Sequence, residues 1–267
     1  MTDSLNQILG DLATHLEHEL DEGARVVPID RDVVIALAEP VSPTRAAKTP
    51  AASSVAAPPP PPENVAPLPP SETPGSGGLA DIVSRVAACE KCTLCETRTK
   101  TVPGQGSATP EIMFVGEAPG HDEDQQGLAF VGKAGQLLTK MIEAMGYTRE
   151  EVFIGNVLKC RPPNNRTPSP EEMETCLPYL REQIRTLQPK VIISLGATAL
   201  KGLVEVQGGI TRLRGKWLSF EDIDLMPTYH PAYLLRSPEF KKDTWQDLQT
   251  VLRHLGREIP EVKKRGG

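Results

Sequence analysis

Ile112-Met-Phe-Val115 runs straight into Gly116-Glu-Ala-Pro-Gly120, an apolar run that stops at a glycine-rich turn. An unbroken apolar run of this length is typical of a strand that is buried on both faces of a sheet. Three further apolar runs, 152–157, 191–195 and 225–229, have the same character. The sequence therefore predicts four strands that share one sheet.

Helical patterns separate these runs. Helices are predicted over 79–88, 134–145, 170–187, 197–203 and 242–255. Strands that alternate with helices indicate an α/β fold of three layers, with a central, mainly parallel four-stranded sheet between helices. Ligands of such sheets bind beyond the carboxyl ends of the strands.

Polar motifs follow three of the predicted strands. Gly116-Glu117 ends the first, Asn156 lies at the end of the second, and His230 follows the last. Because the carboxyl ends of parallel strands meet at one edge of a sheet, these residues predict a single site.

The chain divides into four predicted parts. Residues 1–38 begin with an amphipathic helix, which either packs on the body or docks a protein partner. Residues 39–78 form a linker that is predicted to be disordered, because 12 prolines fall within 40–74. Residues 79–257 form the folded domain, and residues 258–267 form a basic tail.

The net charge of −6 is concentrated in the N-terminal part of the chain. Residues 1–78 hold 11 acids and 4 bases, so the rest holds 24 acids and 25 bases. A near-neutral body is compatible with nucleic-acid binding through local basic patches. No run of 18 apolar residues and no secretory signal is present, which predicts a cytoplasmic protein that does not span a membrane.

Four of the five cysteines have the spacing C-x2-C-x67-C-x15-C, formed by Cys89, Cys92, Cys160 and Cys176. Four thiolates can bind zinc or a [4Fe–4S] cluster. Only the first pair is close in sequence, which favours a structural cluster that joins several loops. Cys95 is either a spare thiol or a replacement for Cys92.

Three motifs together with these cysteines closely resemble the family 4 uracil-DNA glycosylases. The motifs are GEAPGHDEDQQGLAFVGKAGQLL (116–138), NVLKCRPPNNRTP (156–168) and HPAYLLR (230–236). The resemblance covers about residues 79–257 and implies a uracil-DNA glycosylase-like fold. It also implies a [4Fe–4S] cluster and hydrolysis of the N-glycosidic bond of a uracil that is flipped out of DNA.

The resemblance assigns roles to residues of the predicted site. Phe130 is expected to stack on uracil, Asn156 to read its Watson–Crick edge, and His230 to donate a hydrogen bond to O2, where negative charge develops. Gly116 and Ala118 are expected in the pocket wall. A core Phe, a strand-end Asn and a structural His are the alternatives that the residues alone leave open.

The resemblance also bears on how the water is positioned and how thymine is rejected. The motif has Ala118 where the best-known members of the superfamily carry Asp, so Asn165 is expected to position the water with support from Glu117. Gly120 leaves space that Glu123 is expected to fill, which would exclude the thymine methyl group. Asp122 and Asp124 are interpreted as a solvated turn.

Contacts with DNA are predicted from basic, helix-end and apolar residues. Free N–H groups at the start of the helix after Gly196 suit a phosphate. Leu234 or Leu235 is expected to wedge into the base stack, and packing is the competing interpretation. Phosphate contacts are predicted for a set of basic side chains: Lys159, Arg161, Arg166 and Arg236.

The sequence is also compatible with three rival functions. The chain could be a glycosylase for other deaminated bases, an iron–sulfur module that binds DNA or senses redox state without excision, or a zinc-stabilised scaffold. The expected substrate is uracil-containing DNA, and a monomer is the default because no exposed heptad pattern is evident.

Overall fold

The computed structural model describes residues 78–260 of the chain. The predicted N-terminal helix, the linker up to residue 77 and residues 261–267 of the basic tail lie outside the described residues. The strands are β1 (Gln105–Gly106), β2 (Ile112–Gly116), β3 (Phe153–Asn156), β4 (Val191–Leu195), β5 (Leu218–Phe220) and β6 (Ile223–Thr228). The helices are α1 (Leu79–Ala87), α2 (Leu94–Thr97), α3 (His121–Gln126), α4 (Lys133–Ala144), α5 (Pro170–Leu187), α6 (Ala197–Leu203), α7 (Ile210–Leu213), α8 (Pro231–Arg236) and α9 (Lys241–His254).

The sheet has six strands in the order β1-β3-β2-β4-β6-β5. The four inner strands are parallel, while β1 and β5 pair antiparallel at the two edges. The predicted α/β class is confirmed. The prediction of four strands is wrong, because the edge strands span only two and three residues, which is too short for a hydrophobic period to show.

Alternate residues of the inner strands pack on opposite faces of the sheet, as the pleat requires. Met113 and Val115 of β2 join a buried cluster that includes residues of α1, α5 and α6. Ile112 and Phe114 join a second cluster with residues of α4 and α9. The sheet therefore lies between two helical layers, and its central strands are buried on both sides.

The helix α5 carries one of the predicted metal ligands and begins with a capping box. The Ser169 hydroxyl accepts from the Glu172 N–H at 3.2 Å, and the Glu172 carboxylate accepts from the Ser169 N–H at 2.8 Å. Such reciprocal bonds satisfy amide donors that would otherwise be unpaired at a helix start. No helix within residues 78–260 combines the length and apolarity needed to cross a membrane.

Candidate active site

A cavity of about 370 Å³ opens at the carboxyl ends of the parallel strands. Its volume lies in the range typical of small-molecule sites. Glu117, Asn156 and His230, one from each of the three predicted strand ends, line it, whereas Gly116 does not. The other predicted site residues in its wall are Ala118, Glu123, Phe130, Asn165, Arg166, Gly196 and Arg236.

Phe130 lies in this wall in a backbone conformation that few non-glycine residues adopt. Its φ is +53°, its side chain is nearly buried, and its ring centroid lies 5.7 Å from that of His230. A Cβ atom on Gly135 would collide with the Phe130 backbone, so glycine is required there. Strained residues of this kind persist only where the surroundings hold them, and they cluster at functional sites.

Four hydrogen bonds hold the loop that carries Phe130. One carboxylate oxygen of Glu123 accepts from the N–H groups of Val131 and Gly132, both at 2.8 Å. The Arg149 guanidinium donates to the Ala129 carbonyl at 2.7 Å, and the Gln105 side-chain oxygen accepts from the Ala129 N–H at 3.2 Å. These contacts fix the loop and therefore the position of the Phe130 ring. Burial lowers the pKa of Arg149 from its ordinary value.

Asn156 presents an unsatisfied polar atom in the cavity wall. The residue is 1% exposed, and within residues 78–260 its Oδ1 atom has no hydrogen-bond partner. An orphaned buried acceptor is costly and calls for an explanation, such as a ligand that is absent from the structure. A Cβ atom on Gly116 would collide with Asn156 Oδ1 and the Phe130 ring, so glycine at 116 keeps this part of the cavity open.

His230 is held as a neutral imidazole with a defined tautomer. Its Nδ1 atom accepts from the Ala232 N–H at 3.1 Å, as the N-cap of α8. The ring proton therefore lies on Nε2, which can donate. Burial, with a smaller effect from the Arg236 charge, lowers the pKa of His230 to about 4. The side chain is therefore an uncharged hydrogen-bond donor at neutral pH.

Glu123 and Asp124 of the GHDED segment are both buried, although only Glu123 was expected in the pocket. Glu123 Oε2 lies 2.7 Å from the position that a Cβ on Gly120 would take, so Glu123 occupies the predicted space. Asp124 is 2% exposed and accepts from the Thr99 N–H at 2.9 Å. The interpretation of Asp124 as part of a solvated turn is wrong, because it anchors a loop from a distant segment.

The expected water-positioning residues lie at the cavity, although at different depths. Glu117 lies in its wall directly after β2. Asn165 lies at the exposed rim with a φ of +55°, and its Oδ1 accepts from Arg161 Nε at 2.7 Å. With its oxygen engaged in this way, Asn165 can offer its amide nitrogen as a donor.

Two of the predicted DNA contacts, Lys159 and Leu234, are wrong, because distant segments bury both side chains. Lys159 is 1% exposed and its ammonium donates to internal oxygens, so it cannot reach a phosphate. Leu234 is 1% exposed, whereas Leu235 is 44% exposed. The Gly196 N–H donates to the Thr228 carbonyl at 2.9 Å, so the predicted phosphate contact at this helix start stays a prediction for the N–H groups that follow it.

The remaining predicted cationic contacts are compatible with a surface role. Arg166 makes a two-pronged ion pair with Glu172, at 2.6 and 2.8 Å, while its side chain stays 47% exposed. Arg161 is tied to Asn165. Arg236 ends α8 in the cavity wall. All three therefore flank the mouth of the site.

All five cysteines line one small cavity between α1, α2 and α5, and none of them forms a disulfide. The Lys159 N–H donates to Cys176 Sγ and Arg98 donates to Cys160 Sγ, both at 3.2 Å. No three His, Cys, Asp or Glu side chains within residues 78–260 converge so as to bind one ion. The ligands of a [4Fe–4S] cluster bind different iron atoms, so they need not converge on one point. This set of thiols with N–H donors fits such a cluster.

Several residues of the site were missed by the sequence reasoning. Ile210 lines the cavity from a helix of four residues that has no readable period. Tyr233 also lines it, and its position three residues after His230 on α8 was a usable signal. Arg149 and Gln105 act from outside the motifs, and nothing in the sequence points to them.

Comparisons with known proteins agree with this geometry. The model of the uracil DNA glycosylase superfamily matches residues 103–249. The type-4 uracil-DNA glycosylase of Sulfurisphaera tokodaii is 45% identical over 70% of this chain and 87% of its own length. Those of Archaeoglobus fulgidus and Thermotoga maritima are 43% and 45% identical, over 69% and 67% of this chain and 96% of each relative.

Proposed function

This chain belongs to the type-4 uracil-DNA glycosylases of the uracil DNA glycosylase superfamily, and from that premise we propose how its cavity excises uracil. The enzyme is a DNA glycosylase that hydrolyses the N-glycosidic bond of uracil in DNA repair. A base inside a duplex cannot be reached, so the nucleotide must swing into the cavity at a cost of a few kcal/mol. The observation that carries the proposal is the unpartnered Asn156 Oδ1 beside Phe130 and His230.

Uracil recognition follows from the chemistry of these side chains. Phe130 supplies the face on which the flipped pyrimidine stacks. The Asn156 oxygen accepts from N3–H of uracil, and the Asn156 amide nitrogen donates to O4. Cytosine presents an acceptor at N3 and a donor at C4. The Asn156 oxygen would then face an acceptor and its nitrogen a donor, so cytosine is not bound. Gly116 and Ala118 keep the wall beside the ring thin.

Bond cleavage rests on His230 and on one water. As the C1′–N1 bond breaks, its electron pair moves into the uracil ring and charge accumulates on O2. The neutral imidazole donates its Nε2–H to that oxygen, which stabilises the departing anion. The oxygen of water bonds to C1′ and its proton is released, which leaves an abasic site and free uracil. Asn165 positions this water and Glu117 supports it.

Thymine rejection rests on Glu123. Its carboxylate fills the space beside Gly120 and is locked there by the Val131 and Gly132 N–H groups. A C5 methyl group would therefore meet a side chain that cannot move away without releasing the loop of Phe130.

DNA is held around the mouth of the cavity. Arg161, Arg166 and Arg236 contact backbone phosphates, which position a duplex without reading its sequence. Leu235, the exposed leucine of α8, wedges into the stack in place of the flipped base. The enzyme acts as a monomer in the cytoplasm, where its substrate lies.

The cysteines serve a structural role. Cys89, Cys92, Cys160 and Cys176 hold a [4Fe–4S] cluster, which cross-links three segments of the chain when bound. Residues 159–167, which follow β3 and lead to Asn165, are thereby fixed next to the cavity. Arg98 and the Lys159 N–H stabilise the thiolates of this set.

Release of uracil from a uracil-containing oligonucleotide, followed by alkaline cleavage at the abasic site, tests the function. We expect His230→Ala and Asn156→Ala to abolish release. His121→Ala is the matched control, because His121 is exposed and lies outside the cavity wall. Strands with hypoxanthine or xanthine test the rival specificity. If the purified cluster-loaded protein releases no uracil, the proposed activity is wrong.

A further inference from the structure

Lys159 carries a buried charge that the proposed reaction does not use. Its side chain is 1% exposed, and its ammonium donates to the Asn156 carbonyl at 2.8 Å and to Gln183 Oε1 at 2.7 Å. Both acceptors are neutral oxygens. A buried ammonium is costly even when it is hydrogen-bonded, so its retention points to a task that a smaller neutral side chain would not perform.

The Asn156 carbonyl lies beyond the point where the edge strand β1 ends. β1 pairs with β3 only at Phe153 and Ile154, so pairing on this side of β3 ends before Asn156, while β2 still pairs with Asn156 on the other side. Beyond that point, the Lys159 side chain joins the Asn156 carbonyl to the Gln183 side chain. Gln183 Nε2 donates to the Pro103 carbonyl at 2.7 Å, and the Val102 N–H donates to the Lys159 carbonyl at 2.8 Å. Lys159 and Gln183 thus complete the edge of the sheet beside Asn156.

The same pair joins this edge to the cysteine cavity. Gln183 lies on α5 seven residues after Cys176, which is about two helical turns. The backbone N–H of Lys159 donates to Cys176 Sγ at 3.2 Å. One side-chain bridge therefore connects the helix that bears Cys176 to the strand end that bears Asn156.

We propose that Lys159 and Gln183 are positioning residues. They anchor the Asn156 backbone to α5, the helix that carries Cys176, and so keep the Asn156 side-chain amide directed at uracil. The proposal rests on the proposed function, since it concerns how the uracil-reading amide is held. Small displacements of a positioned group cost up to about 100-fold in rate even when the mutation lies away from the chemistry. A loosened Asn156 should weaken both catalysis and the binding of the free base.

The test compares Gln183→Leu with the wild type in single-turnover excision and in inhibition by free uracil. Gln183→Leu removes the acceptor for Lys159 and leaves every cysteine in place. We expect the excision rate per cluster-loaded molecule to fall about 10- to 100-fold, and the inhibition constant of uracil to rise. Gln183→Glu keeps the acceptor for Lys159 but loses the donor to the Pro103 carbonyl, so it should restore part of both. Iron per protein and the visible absorbance of the cluster should match the wild type in both variants.

Two further variants keep the test decisive. Arg185→Ala removes an exposed ion pair with Glu221 from the same helix and should change neither measurement. Lys159→Met should act like Gln183→Leu. If Gln183→Leu melts at a lower temperature but keeps the rate and the uracil inhibition constant of the wild type, the pair is merely structural and the positioning proposal fails. If the wild type itself releases no uracil, the proposed function fails instead.

Discussion

The pH dependence of stability should report the burial of His230 directly. The unfolded chain takes a proton on this imidazole near its ordinary pKa of 6.5, whereas the folded chain does so only near pH 4. Between these values the unfolded state binds more protons, so the free energy of unfolding rises with pH. The contribution of neutral His230 is complete above about pH 6.5 and is lost as the pH falls towards 4.

The size of the effect follows from the displaced pKa. Each pKa unit corresponds to about 1.4 kcal/mol, so protonation of His230 removes about 3 kcal/mol of stability across this window. His230→Asn isolates that contribution, because asparagine also caps a helix start and does not titrate. The remaining carboxylates titrate alike in both proteins, so they cancel in the difference.

The assay is urea unfolding of the cluster-loaded wild type and His230→Asn at several pH values between 4 and 7. The stability difference between them should change by about 3 kcal/mol over this range. The variant should also lose about 10²- to 10³-fold in excision rate, as expected when one donor to a developing oxyanion is removed. If the two stability profiles run parallel, His230 is not buried as a neutral group and the argument for its role as a neutral donor fails.

Other substitutions test the remaining parts of the site. Glu123→Ala should allow measurable thymine excision, whereas Glu123→Gln keeps the side-chain volume and should still reject thymine; equal rejection by both would remove Glu123 from specificity. Gly135→Ala should displace the Phe130 loop, which lowers the free energy of unfolding by about 1–3 kcal/mol and also lowers the excision rate. Its control is Gly78→Ala, whose added Cβ meets no atom within 4 Å and should change neither quantity. Leu235→Ala should slow excision from duplex DNA and spare single strands. Leu234→Ala should instead cost about 2–5 kcal/mol of stability, and a reversed pattern would refute the assignment of the wedge.

The meeting of residues that follow strand ends was predictable from the sequence. Glu117, Asn156 and His230 each follow an apolar run, and parallel strands bring such ends together whatever else the chain does. The side chain of Phe130 was found through the motif that carries it. Its strained backbone and the clamp by Arg149 were not, because they involve segments about 20 residues apart with no common pattern.

The errors fall on residues whose burial is decided by other segments. Lys159 lies in a polar stretch that resembles a surface loop, yet α5 and the chain before β1 enclose it. Leu234 and Leu235 are adjacent and chemically identical, and only the packing of α8 against the body separates a core residue from an exposed one. Asp124 was assigned to solvent because its partners at Thr99 and Lys100 lie 25 and 24 residues away.

The amino-acid order alone determined the layered α/β class, the edge of the sheet at which the cavity opens and the identity of the chemical groups there. These features arise from local periodicity and from strand direction, which a short window of sequence contains. Tertiary packing decided which charges are buried, which of the two leucines of α8 is exposed and how the Asn156 backbone is held. Those outcomes depend on the desolvation and hydrogen bonding that distant segments impose, and such contacts exist only once the chain has folded.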